Sequence, residues 1–223
     1  MFSIWREIKK AITLIRCLPK TIYFNFHYLP LKEAIHLPIF IAYNVQLLQM
    51  KGSVHVYQCK TASVQIGFSG SGIVTSRGEG WWNSTGDIHF HSKVRISGNP
   101  KLFITGKLTF KDNFNAGYNF LLSAHHNIYF EENILISWNV SIMDSDGHKI
   151  KTLEGDVINQ PAPIYIGSHS WLGCHSTILK GCRIAKNSII ASYSLITKSF
   201  SQTQTIVAGS PACVIKQSVL WEE

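Results

Sequence analysis

The chain has 223 residues, of which 45% are apolar and 15% charged, with 21 lysines and arginines against 13 acids and a net charge of +8. That length holds one packed domain with a small appendage, and that apolar share argues against wholesale disorder. The cation excess suits a polyanionic partner: nucleic acid, an anionic membrane surface or a phosphate-rich cofactor. Five cysteines (Cys17, Cys59, Cys174, Cys182 and Cys213) have no CxxC spacing. They read as free thiols of a reducing compartment, not as a disulfide framework or a structural zinc site. No cleavage-site pattern follows the apolar N-terminal residues, and the most apolar stretch, Leu37 to Tyr43, is too short to span a bilayer. The expected location is the cytoplasm.

Residues 1–50 read as a basic amphipathic helix followed by an apolar segment. Trp5, Ile8, Ile12 and Ile15 recur at helical spacing over residues 1–20, with Arg6, Lys9, Lys10, Thr13 and Arg16 on the other face. Such a helix either lies on anionic lipid, as peripheral contact with a membrane, or packs on the domain with its charged face solvated. Residues 21–50 are aromatic and apolar, broken by Pro30 and Pro38, with no clear period.

A repeat domain is expected over residues 51–217. Before residue 88 its register is blurred, and Trp81-Trp82, within Arg77–Gly86, read as a loop or irregular coil. Ile96, Leu102, Leu108, Phe114 and Phe120 then share a six-residue phase, and Ile128, Ile134 and Val140 share another displaced by two. The slip near His125–Asn127 reads as a turn insertion between coils. The pattern lapses over residues 143–163, which read as an extruded loop; long loops on rigid scaffolds are where function tends to sit.

Over residues 164–198 the period is unbroken. Ile166, Leu172, Ile178, Ile184, Ile190 and Ile196 fall six apart, and Ser170, Ser176, Cys182, Ser188 and Ser194 form a parallel row of small residues. A period of six marks a parallel β-helix, each hexad one short strand and one turn. The aliphatics stack in a narrow core, the small residues face inward near a corner, and Gly167, Gly173 and Gly181 ease the turns. Residues 218–223 form a C-terminal tail.

Three stretches carry a resemblance: Pro163 to Gly173, Val207 to Lys216 and Asn139 to His148. They are similar to the last coils, the terminal segment and the active-site loop of hexapeptide-repeat acetyltransferases, especially galactoside and maltose O-acetyltransferases and acyltransferases of capsule and lipopolysaccharide clusters. The similarity spans roughly residues 88–217. It implies an all-β fold, a left-handed parallel β-helix with the N-terminal helical appendage, an exception to the usual right-handed crossover. It also implies a homotrimer with active sites in the grooves between subunits, and acetyl-CoA as co-substrate with no metal required.

The implied reaction moves an acetyl group from acetyl-CoA to a hydroxyl of a sugar or surface-polysaccharide precursor, directly within a ternary complex. A neutral hydroxyl is a poor nucleophile, and a positioned base typically contributes ~10²–10⁴-fold. Histidine suits this because its pKa lies near ~6.5, and His148 matches the family's catalytic position. Asp146 is a candidate for orienting the imidazole, while Asp144 reads as turn chemistry. By resemblance, acetyl-CoA runs past Trp171, Gly173, Cys174, Ala191 and Ser192, with Thr197, Lys198 and Lys216 towards the nucleotide end. Asn115 and Asn119 are candidates for acceptor binding. Cys213 stands where relatives often carry a basic residue, so one expected charge is missing; Gly117 stands nearest the place where sugar acetyltransferases carry an asparagine for the acceptor, so an acceptor other than galactoside or maltose is expected.

Other histidines have plainer readings. His125 and His126 sit at the slip, as corner residues or groove lining. His169 and His175, six apart, are expected to stack on successive strands; two stacked histidines without a third ligand are solvated more often than metal-bound. A Cys174 acyl-enzyme lacks an activating partner. The competing functions are an N-acyltransferase acting on an amino nucleotide-sugar, a zinc hydratase and a non-catalytic trimeric scaffold. Nucleic-acid binding has little support, because the basic residues do not cluster with aromatics on one element.

Overall fold

The protein, seen in a computed structural model, is described over residues 2–68 and 78–222; within the first ten residues only the side chains of Trp5 and Ile8 are described. Arg77 and the side chains of Arg6, Lys9 and Lys10 thus lie outside the described residues. Two helices, α1 (Phe2–Tyr28) and α2 (Leu31–Ala34), precede a left-handed parallel β-helix. Its strands form three faces of nine, seven and six strands among the described residues. Among the described residues every pairing between strands of the stack is parallel until the last, where Thr205–Gly209 and Ala212–Gln217 close it as an antiparallel hairpin.

The row of six aliphatics from Ile166 to Ile196 is fully buried, and the small-residue row is buried beside it. The serines do more than fit. Ser170, Ser176 and Ser188 each donate to the carbonyl three residues back, at 2.7 Å, so these three hydroxyls are buried and paired, while the Ser194 hydroxyl is buried without a partner among the described residues. Farther up the stack Phe90, Phe110 and Phe130 lie face to face at 5.4 and 5.3 Å, replacing the aliphatics as core filler.

The displaced phase has a simple cause. Strand partners between Trp81 and Met143 are twenty residues apart, as in Leu102 with Leu122, whereas Ile178 and Ile196 in the lower coils are eighteen apart. The two extra residues sit at the corner between the seven-strand and six-strand faces, once per coil, at Thr105–Gly106 and again at His125–His126. The insertion expected between coils therefore lies inside each upper coil. It was hidden because strands there bury two inward residues, such as Leu108 and Phe110, so a six-residue count can cross the slip.

Other boundaries also move. The β-helix begins at Ile39, not residue 51: Ile39–Ile41 and Val45–Met50 are strands of the first coil. Trp81 and Trp82 belong to a strand, Gly80–Ser84, with Trp82 fully buried and Trp81 exposed beneath the Lys101 ammonium. Helix α1 runs through Pro19 to Tyr28. Its second half caps the open end of the stack. Asn25 accepts from the Ile39 amide at 3.1 Å and donates to its carbonyl at 2.6 Å, so one side chain serves the first strand as a neighbouring backbone would. Thr21 accepts from the Ile41 amide, and Trp82 donates to the Tyr28 hydroxyl. The first half of α1 leaves Trp5, Ile8, Ile12 and Ile15 exposed, so that stripe does not pack on this chain. Among the described residues no helix is long and apolar enough to cross a membrane.

Candidate functional site

The loop between the strands Ser141–Met143 and Ile164–Ile166 is pinned at its base and free at its tip. Asp144, fully buried, accepts the backbone amides of His125, His126 and Asn127 at 2.7–2.8 Å. It therefore anchors the two-residue corner insertion of the coil above. Beyond it the chain folds into a small hairpin in which Ile158 donates to the Ile150 carbonyl at 2.9 Å, Lys151 bridges Val157, and Leu153 at the tip is fully exposed.

His148 sits on this hairpin, exposed, and its imidazole has no hydrogen-bond partner among the described residues. Its backbone carbonyl accepts from Asn159 at 2.8 Å. Asp146 does not meet the imidazole. Its carboxylate accepts from Lys180 at 2.5 Å and from Asn159 at 2.7 Å, and Lys180 also donates to the Asn159 carbonyl. Those hydrogen bonds, Lys180 first, hold the Asp146 carboxyl below its ordinary pKa. Asp146 thus ties the loop to the coil below.

The residues expected along acetyl-CoA divide between two places. Gly173 and Cys174 stack on Ala191 and Ser192 at the corner between the nine-strand and seven-strand faces, where the Cys174 thiol meets the Ser192 hydroxyl at 3.3 Å. Trp171 lies on the adjoining strand, its indole donating to Ser137 at 3.1 Å. A Cβ on Gly173 would come within 2.6 Å of the Ser192 amide, so this glycine serves close stacking of coils; of the three glycines credited with easing turns, only Gly181 has a positive φ. Thr197 and Lys198 follow the last strand of the seven-strand face, and Lys216 lies on the terminal hairpin; all three are exposed. The residues beyond Gln217 are not a free tail: Trp221 stacks on His169 at 4.5 Å and donates to its carbonyl.

Asn115 and Asn119 are separated. Asn115 is on the nine-strand face, bordering a cavity of about 480 Å³ with Lys60, Lys93 and Arg95. Asn119 is a corner residue at φ 53°, donating to Asn139 at 2.8 Å, and Asn139 in turn meets His175. Asparagine is favoured there because it tolerates the left-handed region. The expected stack of His169 on His175 is overturned. Six residues advance one face of the triangle, not one coil, so the true neighbours lie eighteen on: His169 bonds Asn187 at 2.9 Å, and His175 stacks on Tyr193 at 4.6 Å. His125 packs edge-on against Phe103 and bonds Thr105, as a corner residue would. All five cysteines are unpaired thiols.

The hairpin with His148 and the Cys174–Ser192 corner lie at opposite ends of the seven-strand face, because Met143 pairs with Leu179 while Cys174 precedes that strand. One chain therefore holds the exposed imidazole and the stacked corner apart.

Residues 163–198 match the bacterial transferase hexapeptide family (six repeats). The galactoside O-acetyltransferase of Escherichia coli (strain K12) is 31% identical over 106 residues, 47% of this chain and 51% of that protein. The polysialic acid O-acetyltransferase of Escherichia coli O1:K1 / APEC is 28% identical over 138 residues, 60% of this chain and 43% of that protein. The chain thus spans about half the length of these curated relatives. The crystal structure of a polySia specific acetyltransferase superposes on 82% of this chain and 74% of its own with a TM-score of 0.56 at 21% identity, a likeness of fold. Register, corners and sequence agree: the chain folds as a left-handed parallel β-helix, its residues 163–198 match the hexapeptide-repeat family model, and it is similar in sequence to sugar and polysaccharide O-acetyltransferases.

Proposed function

We propose that the chain transfers an acetyl group from acetyl-CoA to a hydroxyl of a saccharide or surface-polysaccharide precursor, with His148 as general base. The observation that carries this reading is the extruded hairpin, which presents an unpartnered, exposed imidazole on a base fixed by Asp144 and Asp146. A base needs a free lone pair within reach of the acceptor proton, and a tethered loop supplies both. His148 would take the hydroxyl proton as the oxygen attacks the thioester carbonyl, then return a proton to the departing thiolate. Transfer is direct, within a ternary complex.

Trp171, Cys174 and Ser192 form a ledge with polar atoms for the pantetheine arm, and Lys198 and Lys216 are exposed cations for phosphate. Since one chain holds ledge and imidazole apart, we infer that a second copy completes each site, in a homotrimer. The work would be cytoplasmic, with peripheral membrane contact through the exposed stripe of α1.

The deciding experiment follows thiol release from acetyl-CoA against a panel of sugars, sugar nucleotides and amino sugar nucleotides, with sedimentation to fix the assembly. Turnover with a hydroxyl acceptor supports the reading. Turnover confined to an amino nucleotide-sugar establishes an N-acyltransferase instead, and no turnover with any acceptor leaves a scaffold.

A further inference from the structure

Far from the His148 hairpin, on the outer six-strand face of the first two coils, three side chains converge. His55 Nε2 lies 3.0 Å from Asp87 Oδ1, and His89 Nε2 lies 2.7 Å from Asp87 Oδ2. All three ligand atoms fall within 4.8 Å of one another. The strands Ser53–Val56 and Asp87–Phe90 are parallel neighbours in which His55 pairs with His89, so the fold sets the two imidazoles side by side, ring centroids 4.7 Å apart and planes 13° from parallel. The sequence signal is alternation, His55-x-Tyr57 against Asp87-x-His89-x-His91, which puts every one of these side chains on the outward face.

The geometry points to a binding site for a divalent first-row transition ion, Zn²⁺ being the reference case, held by His55, His89 and Asp87. Two imidazoles and one carboxylate are a donor set for such ions, with Zn–N and Zn–O distances of about 2.0–2.2 Å. Tetrahedral ligands at that distance stand about 3.3 Å apart, near the spacing of the nitrogen and oxygen atoms here.

The surrounding groups are those a metal site needs. The Tyr57 hydroxyl lies 3.0 Å from His89 Nδ1. When Nε2 binds a cation the ring proton must reside on Nδ1, and the Tyr57 oxygen is placed to accept it, fixing tautomer and ring orientation. Ser53 donates to the same Asp87 carboxylate at 2.5 Å. Three protein ligands leave a fourth position open, and His55 also lines a cavity of about 490 Å³ between the end of α1 and this face, bounded by Tyr28, Pro30 and Glu33.

The site is separate from the proposed transfer machinery, and its test does not read activity. Full-length protein, stripped with a chelator, is titrated with Zn²⁺ by calorimetry, and the bound ion is examined by X-ray absorption. One ion per chain with a nitrogen/oxygen shell containing two imidazoles is expected. His89→Gln and Asp87→Asn should each abolish that uptake, and Tyr57→Phe should weaken it about 10–100-fold while leaving stoichiometry intact, as loss of a partner to a ligating histidine does. His169→Gln should bind as wild type. Absence of stoichiometric uptake, or uptake unchanged in His89→Gln and Asp87→Asn, overturns the proposal.

Discussion

Asp146 and Lys180 meet at 2.5 Å across the mouth of the extruded hairpin, so the loop that carries His148 is tied to the coil below it. The pair is partly exposed, and such pairs contribute under ~1 kcal/mol to global stability. Its effect is local: together with Asn159 it fixes where the hairpin leaves the β-helix.

The first prediction concerns that tether. Pairing depresses the folded pKa of Asp146, so the tether is complete above the ordinary carboxylate pKa of about 3.9 and is lost only as pH falls through the depressed value. Hydrogen-exchange protection of the Ile158 amide should therefore be equal at pH 5 and 7 in wild type and reduced at both in Asp146→Asn. Turnover in that variant should fall by about tenfold or less, a modest misplacement effect. Equal protection in variant and wild type would show that the tether does not hold the loop.

His148→Ala should lower turnover by about two to four decades without altering acetyl-CoA affinity or melting temperature. His148→Asn should lose nearly as much, since an amide cannot accept the proton at neutral pH. Lys198→Ala and Lys216→Ala should instead raise the acetyl-CoA KM with smaller loss at saturation. Steady-state kinetics on the four variants separates the roles. A His148→Ala enzyme retaining more than about a tenth of wild-type turnover, well short of the usual loss for a missing base, would move attention to His125 or His126.

Stacking of coils gives a stability prediction. Ile184 is fully buried with no route to water, so Ile184→Asp should abolish soluble folded protein. Gly173→Ala is a gentler probe: the new methyl would press on the Ser192 amide and the Ile190 carbonyl, backbone atoms that cannot swing aside. A cost of about 1–3 kcal/mol is expected, lowering Tm by about 2–4 °C per kcal/mol. An unchanged Tm in thermal denaturation would mean the coils separate more easily than the structure implies.

The N-terminal cap can be divided. Asn25→Ala strips the first strand of a donor and an acceptor, at about 1–3 kcal/mol for buried groups left unpaired, and should promote association through the uncovered edge. Deleting residues 2–13 spares Cys17, Thr21 and Asn25, so the fold should persist. Binding to anionic vesicles should weaken, and the wild-type binding should fall with salt. Vesicle flotation unaffected by the deletion or by salt would remove the membrane role.

The sequence by itself determined the repeat. Six aliphatics and five small residues in fixed phase mark a parallel β-helix with the small row near a corner, and the lapse after Met143 marks where the chain leaves the coil. Local composition alone carries this, because each hexad sees the same neighbours. That each coil has three sides is decided by the strand pairing. Only the tertiary structure decided what faces what across coils. Whether Asp146 reaches His148 or Lys180 and whether Asn25 completes a strand depend on how the loop and the helix lie against the stack, while whether His175 meets His169 or Tyr193 depends on the count of residues per coil. That count changes from twenty to eighteen at corners whose extra residues leave little mark on the hydrophobic pattern. The pairing of His55 with His89 is likewise a product of stacking, thirty-four residues apart in the chain and adjacent in the sheet.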